Sequence, residues 1–257
     1  MLEFDTCYIS EIGGRQRNED ACGYWQSGSS GCWVLSDGAG GHGSGDVASR
    51  LVVQTVLHGF RSRPEVSCGQ ALALLQAAQE AVVWEKTSGA TRDDMHATAV
   101  VLLIDRDSAQ AVFAHVGDSR LYHFRQGRIL SQTRDHSLVQ QMVDAGFGGT
   151  EMIRRHPKRS LLTSAMGAAG RVEMSVSPQP LPVLAGDVFL LCSDGWWELL
   201  QEAEMEAALE RHPVGARWLA DMAATIRNRA PAGHDNYSAL CVSSLDDRTV
   251  MLERSQA

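Results

Sequence analysis

Four strand-like runs follow one another between residues 97 and 133 with no helical pattern between them. They read "ATAVVLLID" (97–105), "QAVFAHVGD" (110–118), "SRLYHFRQG" (119–127) and "RILSQT" (128–133). Each is rich in Val, Leu, Ile and aromatic residues and is bounded by Gly, Asp or Ser. The last three are expected to be successive antiparallel strands, with tight turns at Gly117-Asp118 and Gln126-Gly127. Similar runs occur at 32–37, 171–177, 187–194 and 236–244. Apolar residues recur at helical spacing over 46–60, 69–85 and 215–228, and 136–146 with 149–155 reads as a shorter helical pair. Parallel strands need a crossover after each strand. The order here does not alternate in that way, so it predicts antiparallel sheets with helices packed outside them.

That order bears on "LSDGAGGHGSGD" (35–46), where Gly38 to Gly43 satisfies the dinucleotide-binding pattern GxGxxG. The fingerprint also requires a second parallel strand ending in Asp or Glu about 20 residues on. Here a second helix follows instead, and Asp37 would oppose a pyrophosphate. The only lysines are Lys86 and Lys158, so no Gly-Lys-Ser/Thr phosphate loop exists. A net charge of −8 argues against nucleic-acid binding. The six cysteines form no CxxC pair and suit a reducing compartment. The chain has no secretory leader pattern and no apolar stretch near 18 residues, so it reads as cytoplasmic, without a membrane partner. No linker or repeat divides residues 1–257, so one domain is expected.

"VLSDG" (34–38) and "LCSDG" (191–195) each run an apolar strand into Ser-Asp-Gly. Asp118 in "HVGDSR" and Asp235 in "GHDNYSAL" also border strands, and Glu19-Asp20 lies in "GGRQRNEDA". Any one Asp-Gly or Gly-Asp is ordinary turn chemistry. Carboxylates at several neighbouring strand ends, however, converge on one edge of a sheet and cannot all stay ionised without compensation. Oxygen donors without a Cys or His cage suit Mg²⁺ or Mn²⁺. Two such ions about 3.5–4 Å apart acidify a bridging water and aim it at phosphorus. Arg15 and Arg17 beside this pair offer forks for phosphate oxygens.

These residues resemble the PP2C-type (PPM) metal-dependent serine/threonine protein phosphatases in their compact bacterial form. The resemblance covers nearly the whole chain in order, through "GGRQRNEDA", "LSDGAGGHGSGDVAS", "HATAVVLL", "HVGDSRLY", "TRDHSLVQQMVDAG", "RRHPKRSLLTSAMG", "LLCSDGWWELL" and "HDNYSALCV". It implies an α+β fold, a four-layer α-β-β-α sandwich of two antiparallel sheets flanked by helices. By the same resemblance Asp37 bridges two core ions, Mn²⁺ or Mg²⁺, with the Gly38 carbonyl, Glu19, Asp194 and Asp235 as further ligands. Asp20 and Asn236 support them, and Asp118 with Asp194 holds a third, weaker ion. Arg15 matches the substrate-phosphate arginine and Arg17 does not. Segment 134–166 resembles the flap beside the active site.

One position departs from the family. Ala39 stands where some members carry a histidine that protonates the leaving group. Water bound at the metals, preferred by analogy with members carrying methionine there, or His42 are the remaining donors. The implied activity is hydrolysis of phosphoserine and phosphothreonine on a protein, by a monomer opposing a bacterial Ser/Thr kinase. Loop variants resemble members associated with type VI secretion. The alternatives are a regulatory pseudophosphatase that docks a partner, or a hydrolase of small phosphate esters. His115 and His123 read as packing or surface residues, His136 and His156 as flap residues that can touch substrate. Cys192 lacks the downstream arginine of a cysteine phosphatase and lies in an apolar strand.

Overall fold

The computed structural model describes residues 2–40, 44–88, 94–213 and 215–245. Its first strands, β1 (Phe4–Glu11) and β2 (Asp20–Gln26), are followed by the buried β3 (Ser30–Ala39). Two long helices come next, α1 (Gly45–Ser62) and α2 (Cys68–Ser88). Then follow β4 (His96–Ala97), β5 (Ala99–Asp105), β6 (Gln110–Val116), β7 (Arg120–Arg125) and β8 (Arg128–Gln132). Helices α3 (Leu138–Asp144) and α4 (Met152–Arg155) precede two-residue strands β9 (Ser175–Val176) and β10 (Leu181–Pro182). The chain ends with β11 (Val188–Cys192), α5 (Asp194–Trp197), α6 (Glu202–Arg211), α7 (Gly215–Arg229) and β12 (Tyr237–Ser244).

Two antiparallel sheets stack face to face. One has the order β1-β12-β11-β7-β8, and the other β10-β6-β5-β3-β2, with β4 on β3 and β9 on β6. Period-2 alternation sorts the side chains into layers. In β3, Cys32 and Val34 pack under α1 and α2, while Trp33 and Leu35 join Leu102, Phe189 and Leu240 between the sheets. A third cluster under the other sheet buries Trp196, Trp218, Met222 and Tyr237 against α6 and α7. The α+β, four-layer α-β-β-α expectation is met.

Several local expectations are corrected. Gln126 (φ +52°) and Gly127 (φ +76°) do close the β7–β8 hairpin, but Gly117-Asp118 makes no hairpin. β6 and β7 belong to different sheets, and the chain crosses the sandwich there. Gly117 takes φ +93°, and a Cβ on it would lie 2.6 Å from Thr98 Cγ2, so only glycine fits this corner. The run 97–105 breaks at Thr98, and of 171–177 only Ser175–Val176 pairs, along the edge of β6. The helical pair shortens to 138–144 and 152–155. β1, β2 and α6 had no clear sequence signal. α6 starts where the Gln201 amide donates to Glu204 Oε2 at 2.8 Å, a cap without the usual Ser, Thr, Asp or Asn.

Candidate active site

Five strand ends deliver carboxylates to one edge of the sandwich. Asp20 on β2 and Asp37 on β3 are direct cross-strand partners. Asp194 follows β11, Asp118 sits on the crossing from β6 to β7, and Asp235 precedes β12. Burial and the charges of Asp20, Asp194, Asp118 and Asp235 push Asp37 well above the usual carboxylate range. Asp194 is raised in the same way by burial and by Asp118, Glu198, Asp235 and Asp20. Burial lifts Asp20 to about 6, and burial with Asp135 lifts Asp118 to about 7. Glu19 is raised by partial burial and by Asp46 and Asp235. The predicted carboxylates therefore do meet.

Backbone contacts fix this arrangement. The Asp37 amide donates to Thr98 Oγ1 (2.9 Å), and the Thr98 amide returns a bond to Asp37 O (2.8 Å). Thr98 Oγ1 also meets Ser119 Oγ at 2.7 Å, tying Asp37 to the loop that carries Asp118. Ser193 Oγ donates to Asp20 Oδ2 at 2.8 Å. Asn236 accepts from the Glu19 amide (2.9 Å) and donates to Ile12 O and Arg17 O (2.7 and 2.8 Å).

The glycines serve close approach. β3 stays extended through Ala39, so the backbone makes no turn at Gly38. A Cβ on Gly38 would meet Gly45 O at 2.0 Å, and one on Gly45 would meet the Glu19 carboxyl carbon at 2.9 Å. Gly13 is likewise pressed against Asp235 O, and Gly195 against Asn236 O, each at 2.1 Å from an ideal Cβ. Ala39 is exposed and paired across β4 with His96, whose Nε2 lies 3.3 Å from Lys86 Nζ. His42 lies outside the described residues.

Arg15 Nη2 donates to Asp235 Oδ2 at 2.7 Å, with both side chains about half exposed. Arg15, Arg154, Arg159, Ser160, Asp194 and Asp235 line a cleft of about 350 Å³, so segment 134–166 does border the carboxylates. His136 does not reach that cleft. It accepts from the Gly117 amide at 3.2 Å, bonds Ser175 Oγ at 2.9 Å and stacks on His115 with ring centroids 4.6 Å apart. His115 and His123 are buried packing residues as expected.

Sequence reasoning passed over Asp46, Thr98, Glu198 and Arg120. Asp46 was visible as the second aspartate of "LSDGAGGHGSGD", and in the structure its charge acts on Glu19 while its Oδ2 accepts from Arg50 at 2.9 Å. Arg120 is a buried cation that forks onto Asp135 at 2.8 and 2.8 Å and donates to Tyr122 Oη at 2.9 Å. It lies 3.6 Å over the Trp197 ring, whose Nε1 donates to Asp118 O at 2.9 Å. This stack supports Asp118 from below. Arg120→Ala leaves Asp135 buried and unpaired, so it should cost about 3–5 kcal/mol of unfolding free energy. Urea denaturation of variant and parent measures this.

A divalent cation fits the donor set. Oδ1 of Asp20, Asp46 and Asp194 are buried without a hydrogen-bond partner. The charges acting most strongly on Asp37 and Asp194 are all negative. Among the described residues no three Asp, Glu, His or Cys side chains close into a cage around one point. Hard cations that keep most of their water do not need one.

A sequence profile described as Protein phosphatase 2C matches residues 10–234. A relative from Listeria innocua, "Serine/threonine phosphatase stp", is 31% identical over 216 residues, 81% of this chain and 82% of the relative. A solved PstP catalytic domain "in complex with 2 Manganese ions" superposes with a TM-score of 0.82. It is 26% identical and covers 96% of this chain and 100% of that one. PppA from Pseudomonas aeruginosa, described as a key regulatory component of T6SS, gives a TM-score of 0.75. It is 30% identical, with 94% and 98% covered.

Proposed function

This chain belongs to the protein phosphatase 2C family, and on that premise we propose that it hydrolyses phosphoserine and phosphothreonine on proteins, as one metal-dependent catalytic domain. Its homologues support serine/threonine phosphatase function. The observation that carries the reading is the set of mutually repelling carboxylates around Asp37, a charge arrangement that a cation relieves. A non-catalytic docking module has no use for that cluster, and every carboxylate that the family pattern asks for is present.

Asp37, the Gly38 carbonyl, Glu19, Asp194 and Asp235 would hold two ions, Mn²⁺ or Mg²⁺, and Asp118 with Asp194 a third. When bound, the ions supply Lewis acidity to the phosphoryl group and lower the pKa of water. Asp20 and Asn236 orient the ligating segments through the bonds described above. Arg15, already held at the cleft by Asp235, presents a planar fork to an incoming phosphate monoester. Arg159 and Ser160 bring segment 134–166 to the cleft wall, where it contacts the substrate chain around the phosphoresidue. A departing serine or threonine alkoxide needs a proton. Ala39 has none to give, so the proton comes from water in the cleft, with His42 the candidate from the chain itself.

We place the chain opposite a bacterial Ser/Thr kinase, and its likeness to PppA supports a role in type VI secretion control. Among the described residues no helix is long and apolar enough to cross a membrane. A phosphothreonine peptide assayed with Mn²⁺ should turn over and fall to background on chelation. It should outcompete a nucleoside monophosphate as substrate. No turnover with Mn²⁺ would overturn the catalytic reading, and preference for the nucleotide would replace the protein substrate.

A further inference from the structure

β1 forms one edge of its sheet and pairs with β12 in a register that sets Cys7 directly opposite Cys241. The Leu245 amide donates to Glu3 O at 2.8 Å, and stepping two residues at a time makes 7–241 a hydrogen-bonded pair. Such pairs have Cα atoms about 5.5 Å apart, inside the span of roughly 4.4–6.8 Å that a disulfide bridges. Both side chains face the start of α7. A Cβ on Gly215, its first residue, would stand 3.0 Å from each of the two sulfurs. Gly215 thus leaves the room in which the thiols meet, at a helix N-terminus that favours a thiolate.

The two sulfurs are not equivalent. Cys7 is half-buried on the edge strand, and Cys241 is fully buried. The hydrogen bond from Cys241 holds the Cys7 thiol below its usual range, outweighing burial and the Asp5 charge. Cys241 is pushed the other way by the same bond and by burial. Burial also raises Cys22, to about 11, and Cys32 and Cys192 further. One half-buried cysteine disposed to be the thiolate, with a fully buried thiol facing it, is the layout of an attacking and a resolving cysteine.

We propose that Cys7 and Cys241 form a peroxide-oxidisable dithiol that closes into a disulfide stapling the first strand to the last. The Cys7 thiolate attacks one oxygen of hydrogen peroxide. An S–O bond forms, the O–O bond breaks, and the departing hydroxide takes a proton to become water. Cys241 sulfur then attacks the sulfur of the Cys7 sulfenic acid. The S–S bond forms, the S–O bond breaks, and the released hydroxide carries off the Cys241 proton as a second water. Two thiols lose two electrons and the peroxide gains them. β1 runs on through Gly13 and Gly14 to Arg15, and β12 begins just after Asp235 and Asn236. The staple therefore joins the two segments that carry the Arg15–Asp235 pair.

The full-length chain, reduced and then treated with hydrogen peroxide, is alkylated and digested without reductant. The expected product is a peptide pair linked through Cys7 and Cys241, with alkylation of both falling more than tenfold and returning with dithiothreitol. Cys241→Ser, oxidised in the presence of dimedone, should carry the dimedone adduct on Cys7. Continued alkylation of both cysteines after peroxide overturns the proposal, as does a different pairing or a Cys7 sulfinate beside a free Cys241. Absence of the dimedone adduct overturns Cys7 as the attacking sulfur.

Discussion

Asp194→Asn should abolish turnover and, in chelator, raise the melting temperature. Asp194 is pushed far up by burial and by Asp118, Glu198, Asp235 and Asp20, and its Oδ1 has no hydrogen-bond partner. Without a cation, this carboxyl destabilises the fold whenever it ionises. An isosteric amide removes the charge while preserving the volume, so the metal-free variant should gain about 0.5–2 kcal/mol, the usual yield of relieving a functional site. That corresponds to a few degrees in Tm for a chain of this size. The same amide is a poor ligand for a hard cation, so kcat should fall by about 10³-fold or more, at least ~4 kcal/mol of transition-state stabilisation. Added Mn²⁺ should then reverse the ranking. The parent gains stability by mass action and the variant gains less. Calorimetry with chelator and with Mn²⁺, beside a phosphopeptide assay, measures all three. A variant that keeps its turnover, or that melts lower in chelator, would show that Asp194 does not carry the charge burden described.

The opposed signs explain which parts of the site could be read from residue order. Asp37 and Asp194 were legible because each ends an apolar run with Ser-Asp-Gly, and period-2 burial fixes where such a run must stop. Their convergence followed from strands that share a sheet edge. Asp46 was in plain view, but its part in the site was not legible, because its neighbours are those of any acidic residue in a first helical turn. Only the fold brings it to Glu19. Arg120 was hidden for a related reason, since "GDSRLY" reads as a turn entering a strand whether or not its arginine is buried. The same dipeptide misdirected the topology. Gly-Asp signals a change of direction, but a hairpin and a crossing between sheets share that signal. What separates them is Thr98, which crowds Gly117 from the break between β4 and β5, 19 residues earlier. The glycines of "LSDGAGGHGSGD" follow this logic too. Gly38 and Gly45 are required because their two backbones touch, and the Glu19 carbonyl, from the neighbouring strand end, closes in on Gly38 as well.

Metal-free protein should lose stability as the pH rises to about 7, and saturating Mn²⁺ should abolish that loss. Unfolded carboxyls ionise near pH 4. In the folded chain Asp20 holds its proton to about 6 and Asp118 to about 7, and Asp37 and Asp194 are raised as well. Folded protein thus binds more protons than unfolded protein between pH 4 and about 7. Each group's contribution is full below the unfolded pKa, falls by about 1.4 kcal/mol per pH unit between the unfolded and folded values, and is gone above the folded one. Two buried histidines act in the opposite sense. His115 is depressed to about 4 by burial and the neighbouring His136, and burial lowers His136 as well. Their contribution rises with pH but is complete near pH 6.5, the unfolded histidine value. Above that point the histidines no longer offset the carboxylates, so the decline should be clearest just above pH 6.5, where Asp118 is still giving up its proton. Asp187, lowered to about 2 chiefly by its bonds to Arg125 and His123 despite its burial, adds stability that fails only in strong acid. Melting curves in chelator at half-unit steps from pH 5.5 to 8 test this, with a parallel Mn²⁺ series. A chelated protein whose Tm rises steadily to pH 8 would contradict it. It would mean that the carboxylate cluster is relieved by something other than a divalent cation.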